Sequence, residues 1–150
     1  MVDKAETRKN GWFTDDGTKY YGKNGYALTG WQEFGLYPIS SRRYFFNEKG
    51  VMQTGWIEDD NKWYFLKTDG RMATGWLESN DEKYFLDSLE GYMFTNWRYI
   101  QNNWYYFHPE NGKMQTGWLE LDGERYYLDK NGIMKVGWQL IEGKMYYLYL

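Results

Sequence analysis

At 150 residues the chain has the length of one ordinary domain. Its formal charge of -3 argues against a nucleic-acid partner held through phosphates, and its lack of cysteine excludes disulfides and thiolate metal sites. Aromatic residues make up 22% of it, with 9 Trp and 16 Tyr, a balance that favours strands over a helical bundle.

No apolar stretch approaches the length of a membrane span. Met1 to Asn10 is polar and unpatterned, without the apolar core of a signal peptide, and reads as a tail or linker over residues 1–10. From residue 11 onward one step recurs: Gly11-Trp12, Gly30-Trp31, Gly55-Trp56, Gly75-Trp76, Asn96-Trp97, Gly117-Trp118 and Gly137-Trp138. Counted from tryptophan to tryptophan, the steps are 19, 25, 20, 21, 21 and 20 residues. Self-similarity at this period indicates a stacked array.

Each step opens the same pattern, shown by Gly55 to Thr74. Two apolar runs, Trp56-Ile57 and Trp63-Tyr64-Phe65-Leu66, flank the polar turn Asp59-Asp60-Asn61-Lys62, as in a β-hairpin. A second turn, Thr68-Asp69-Gly70, leads to Met72 and the next Gly-Trp. Residues 11–150 thus hold six full repeats and a terminal hairpin, an all-β repeat solenoid of hairpins. The second repeat is longer, and Phe34 to Ser41 reads as an extended hairpin loop. An isolated hairpin is marginal in water, so each must cover its apolar side with a neighbour.

Asp122-Gly123 is a favoured two-residue turn and fixes the register of the sixth hairpin. It pairs Leu121 with Glu124, Glu120 with Arg125, Leu119 with Tyr126 and Trp118 with Tyr127. The Gly-Trp tryptophan then shares a face with the residue seven positions later. That position holds Trp63 and Trp104 in two repeats, and Lys19, Arg43, Lys83, Arg125 and Met145 in the others. Two indoles on one hairpin face form two walls of a box, and an aromatic residue from the next hairpin supplies a third. Such walls suit a quaternary ammonium ion, each ring contributing about 0.5–2 kcal/mol. Where Lys or Arg replaces the second indole, the protein's own cation is expected over the first ring, closing the site.

The run Gly-Trp, Trp-Tyr-Phe-Leu, then Asp-Gly-Arg-Met-Ala-Thr-Gly-Trp resembles the choline-binding (cell-wall-binding) repeat of Gram-positive surface proteins. The resemblance extends from Gly11 to Leu148. It implies a left-handed superhelix of hairpins with choline held between consecutive hairpins by two tryptophans, a tyrosine from the next hairpin and a methionine. Carried onto this sequence, it implies one site of Trp56, Trp63, Met72 and Tyr84. A second comprises Trp97, Trp104, Met114 and Tyr126, with Asn96 in place of the usual glycine. The ligand implied is choline or phosphocholine on teichoic and lipoteichoic acids at the bacterial cell surface, with no cofactor. The Lys and Arg repeats look more like glucan-binding and clostridial toxin repeats, which leaves a glucan or another glycan, other cell-wall glycans included, as an alternative ligand. An adhesin or spacer with most sites closed is the further alternative.

Catalysis has little support. His108 has no second histidine or cysteine for zinc. Asp129-Lys130-Asn131-Gly132 is only part of a calcium loop and is explained by turn chemistry. Asp15-Asp16 and Asp59-Asp60 sit at solvated hairpin tips, and not beside the buried pocket that acid–base catalysis needs. The expectation is a noncatalytic attachment module, with homodimerisation open to it through the apolar C-terminal hairpin, Tyr146 to Leu150.

Overall fold

The structure, a computed structural model, describes residues 9–36 and 42–149. The chain divides into two compact units, Met1–Thr74 with Ser88–Tyr92, and Gly75–Asp87 with Met93–Leu150. Within the first, β1 (Gly11–Asp15), β2 (Thr18–Lys23) and the short β3 (Tyr26–Ala27) form a three-stranded sheet. Two hairpins follow, β4 (Gly30–Phe34) with β5 (Arg42–Phe46), and β6 (Gly55–Asp59) with β7 (Lys62–Leu66).

The second unit holds four hairpins: β8 (Gly75–Ser79) with β9 (Glu82–Leu86), β10 (Asn96–Ile100) with β11 (Asn103–Phe107), β12 (Gly117–Leu121) with β13 (Glu124–Leu128), and β14 (Gly137–Ile141) with β15 (Lys144–Leu148). The described residues contain strands and turns and no helix, so the fold is all-β and built of repeated hairpins. Each Gly-Trp or Asn-Trp step opens a hairpin.

The sixth hairpin has the register its turn dictates, with Leu121 opposite Glu124, Glu120 opposite Arg125, Leu119 opposite Tyr126 and Trp118 opposite Tyr127. Asp122 and Gly123 have φ of 51° and 84°, the left-handed pair that matches the twist of the flanking strands. Left-handed backbone also explains the Gly-Trp step. Gly117 has φ 79° with open space where a Cβ would lie, so backbone conformation and not crowding selects glycine. Asn96, at φ 61°, is the one departure, and asparagine is among the few side chains that tolerate this region.

The residue closing the second strand fills the interior in five hairpins: Phe46 and Leu66 in the first unit, and Leu86, Phe107 and Leu128 in the second, all essentially inaccessible. The methionines are part of this scaffold. Met114 N–H donates to the Lys83 carbonyl at 2.8 Å, and Met134 N–H to the Trp104 carbonyl at 2.9 Å. Met52 and Met72 reach Lys19 and Arg43 in the same way in the first unit. Each of these four methionines therefore joins its own repeat to the seventh position of the preceding hairpin. The Met114 side chain lies where a Cβ on Gly132 would stand, so the second turn also requires glycine.

That turn is built by side-chain capping. Asp129 Oδ1 accepts from the Asn131 and Ile133 N–H groups at 2.9 and 3.0 Å, and Oδ2 pairs with Lys135 at 3.0 Å. Burial acts to raise the Asp129 pKa, but these donors and Lys135 outweigh it and hold the carboxyl below its ordinary value. A depressed folded-state pKa gives stability that is present above the unfolded value and is lost as pH falls through the folded one. We therefore expect a urea midpoint that declines below about pH 4, with Asp129→Asn removing part of the decline. An unchanged slope in that variant would assign the acid sensitivity elsewhere.

Two expectations about the chain's irregular parts need adjusting. Phe34 is not loop but the last residue of β4, paired with Arg42; its ring packs against Tyr21 at 4.3 Å, and against Trp12 and Tyr44 at 5.7 Å each. The rest of the expected loop extends into residues 37–41, outside the described residues. Most of the expected tail, residues 1–8, is likewise outside them, while Asn10 Oδ1 accepts from Asn24 N–H at 3.0 Å.

Candidate functional site: aromatic junctions between hairpins

One contact repeats within both units. The Gly-Trp indole meets, edge to face, the first tyrosine of the next hairpin's second strand. Trp12 meets Tyr44 at 4.9 Å and Trp31 meets Tyr64 at 4.9 Å. In the second unit Trp76 meets Tyr105 at 5.0 Å, Trp97 meets Tyr126 at 5.0 Å, and Trp118 meets Tyr146 at 4.8 Å. Alternation along the strands produces this: the tryptophan points to one side of its hairpin and the tyrosine to the other. The seventh-position residue then decides what the junction is.

At the β10–β11 hairpin that residue is Trp104. Its ring lies 6.5 Å from Trp97 at 87°, and Tyr126 stands 5.0 Å from Trp97 at 64°. Three expected residues, Trp97, Trp104 and Tyr126, are thus brought together as walls set at steep angles. Trp104 keeps 39% of its surface exposed, so it is not core. Tyr99, opposite Trp104 in the register, packs against its outer side at 5.2 Å. The cross-strand pairing rule points to Tyr99 once the register is set.

Met114 does not belong to this group. It lines a cavity with Trp76, Lys83 and Tyr105, one junction earlier, and its main chain is tied to Lys83. Met134, tied to the Trp104 carbonyl, is the methionine in register with Trp97 and Trp104. The assignment shifts by one repeat because each methionine follows the strand that supplies the tyrosine, not the strand that supplies the indoles. Of the other expected set, Trp56 on β6, Trp63 on β7 and Met72 lie in the first unit, and Tyr84 on β9 is a buried residue of the second. Glu58 lies opposite Trp63, and Trp63 is 39% exposed, the same as Trp104. By the main-chain ties, Met72 is in register with Arg43.

Where arginine takes the seventh position, the protein's own cation covers the indole. The Arg125 guanidinium lies 4.4 Å from the Trp118 ring centre, and that of Arg43 lies 5.4 Å from Trp31. Arg43 also reaches the Glu90 carbonyl at 3.5 Å and the Glu90 carboxylate at 3.9 Å. At Trp12 the filler is instead the Phe34 ring. The seventh residue is lysine in two repeats, and no ammonium is found over Trp12 or Trp76 among the described residues; the expected cation cover is thus an arginine property.

The remaining candidates have structural roles. His108 Nδ1 accepts from the Glu110 and Asn111 N–H groups at 3.2 and 3.4 Å, capping a turn. Among the described residues no cluster of His, Cys, Asp or Glu could hold a metal ion, and no helix is long and apolar enough to cross a membrane. Burial pushes the Tyr105 phenol up from its ordinary value, so it stays neutral at physiological pH.

Repeated hairpins joined by indole–phenol corners define an aromatic-repeat module. Matches to the choline-binding repeat cover residues 34–69, 54–96, 74–116 and 94–136, and the chain belongs to that family. It is similar to the crystal structure of choline binding protein F from Streptococcus pneumoniae, with 37% identity and a TM-score of 0.86 over 94% of this chain and 50% of that one. CbpJ from the same species gives 37% identity and 0.85 over the same shares. The modular autolysin LytC of Streptococcus pneumoniae gives 29% identity and 0.62 over 91% of this chain and 31% of that one. The chain thus spans about half the length of the first two. No curated protein sequence matches it.

Proposed function

We propose that the chain is a noncatalytic attachment module that binds choline on teichoic and lipoteichoic acids of a bacterial cell wall. The observation that carries this reading is the open corner of Trp97, Trp104 and Tyr126. Each ring that turns its face to the shared space would offer a cation about 0.5–2 kcal/mol. Millimolar binding corresponds to about 4 kcal/mol, which such a corner can supply. The Trp56 and Trp63 hairpin is proposed as a second site. Sites this weak serve attachment through repetition, since linked epitopes raise overall avidity about 10²–10⁴-fold.

Titration of the chain with choline should quench tryptophan fluorescence with a midpoint in the millimolar range, and the chain should leave purified cell wall uncleaved. A response to sugars alone would overturn the choline reading, and wall hydrolysis would overturn the noncatalytic one. The arginine junctions give a third check. Arg125→Trp removes the covering guanidinium and restores the two-indole pattern beside Tyr146, so calorimetry should count one more choline site. Unchanged stoichiometry would mean that the seventh position does not gate binding.

The outer face of the last hairpin carries Trp138, Leu140, Met145 and Tyr147, all exposed. On β10–β11 and β12–β13 the corresponding indoles, Trp97 and Trp118, meet Tyr126 and Tyr146 of the next hairpin. Homodimerisation through this hairpin is proposed, to be read by sedimentation; a monomer at high concentration would exclude it.

A further inference from the structure

The junction at Trp76 fits neither the open choline box nor the arginine-closed form. Its indole is 41% exposed and borders a cavity of about 420 Å³, within the usual range of small-ligand sites. Trp76 and Tyr105 form an aromatic corner at 5.0 Å and 69°, and Met114 adds a third apolar surface. Glu78 and Lys83, opposite each other on β8 and β9, line the same cavity together with Asn131.

From this arrangement we infer that the Trp76 junction binds a neutral pyranose ring of a glycan rather than choline. Lys83 holds the strand position that Trp104 holds in the hairpin of Trp97, so a cationic side chain replaces a ring wall and repels a second cation. Glu78 lies opposite Lys83 in the register, so the cavity lining carries one charge of each sign and favours a ligand without net charge. Lys83 donates, Glu78 accepts, and the Asn131 amide does both, which suits the alternating donors and acceptors of sugar hydroxyls. The apolar face of a pyranose can lie on the exposed indole while its hydroxyl rim meets these three side chains. At Trp31 and Trp118 a guanidinium lies over the indole instead, in the place where a sugar ring would stack.

The inference does not depend on choline binding elsewhere, and the same sample separates the two. Indole N–H signals of the ¹⁵N-labelled chain would be followed during titration with an N-acetylglucosamine tetrasaccharide and with maltotetraose, each in the presence of saturating choline. At least one saccharide should shift the Trp76 signal, and the pattern between them reports which sugar class is taken. Lys83→Ala and Asn131→Ala, both at exposed positions, should each weaken that response about fivefold while leaving the choline response of Trp97 and Trp104 unchanged. Retained dispersion of the other indole signals verifies that the variants are folded. The inference is overturned if choline alone shifts Trp76, if neither saccharide shifts it, or if both variants bind the saccharide as the parent does.

Discussion

Replacing Trp104 with alanine is expected to weaken choline binding at the Trp97–Tyr126 corner by about tenfold or more, while the hairpin stays folded. The ring is one of three walls and contributes on the order of 1–2 kcal/mol to a bound quaternary ammonium. It is also 39% exposed, so its removal leaves little core unfilled. Lys83 and Arg125 occupy the same position in neighbouring hairpins with the strands intact, which supports the separation of binding from folding. The measurement is a choline titration of wild type and variant, with urea unfolding of both. Equal affinities would remove Trp104 from the site, and a large loss of stability would make it part of the scaffold. Trp97→Ala would be a poorer test, because that indole also packs against Tyr106 at 5.1 Å.

Phe107→Ala is expected to cost about 3–5 kcal/mol, the usual range for a large aromatic residue deleted from a close-packed interior. Phe107 is wholly inaccessible and sits in a cluster with Phe85, Ile100 and Tyr105, against which Phe94, Met114 and Ile133 also pack. Its ring lies 6.0 Å from Trp76 and 6.4 Å from Tyr105. Net stabilities are commonly about 5–15 kcal/mol, so the loss consumes a large fraction of the total. Denaturant unfolding of the variant gives the value directly. A loss below about 1 kcal/mol would mean that the cluster collapses around the deletion instead of holding its shape.

These two residues also show what the sequence makes legible. The period placed every hairpin, and Asp122-Gly123 fixed a register from which the shared face of Trp118 and Arg125 followed. The guanidinium over Trp118 was legible because position seven is a neighbour of position zero on that face. The methionine was not. Its place depends on a main-chain bond to the preceding hairpin, as from Met134 to Trp104, and nothing in local alternation encodes such a bond. Phe34 was hidden for a related reason. Beside Gly35 and a proline-containing stretch it reads as loop, yet its partner in the strand, Arg42, lies across the inserted residues. Lys83 resembles Arg125 in sequence, but only the structure shows an ammonium leaving its indole uncovered.

The most direct test compares choline with its uncharged carbon isostere, 3,3-dimethylbutan-1-ol, by following the Trp97 and Trp104 indole signals. The two molecules match in shape and apolar surface and differ in the charge at the branched centre. Choline should shift both signals with a millimolar midpoint, and the isostere should bind about tenfold more weakly or worse. Equal binding of the two, or shifts confined to other indoles, would contradict a ring-walled cation site between these hairpins.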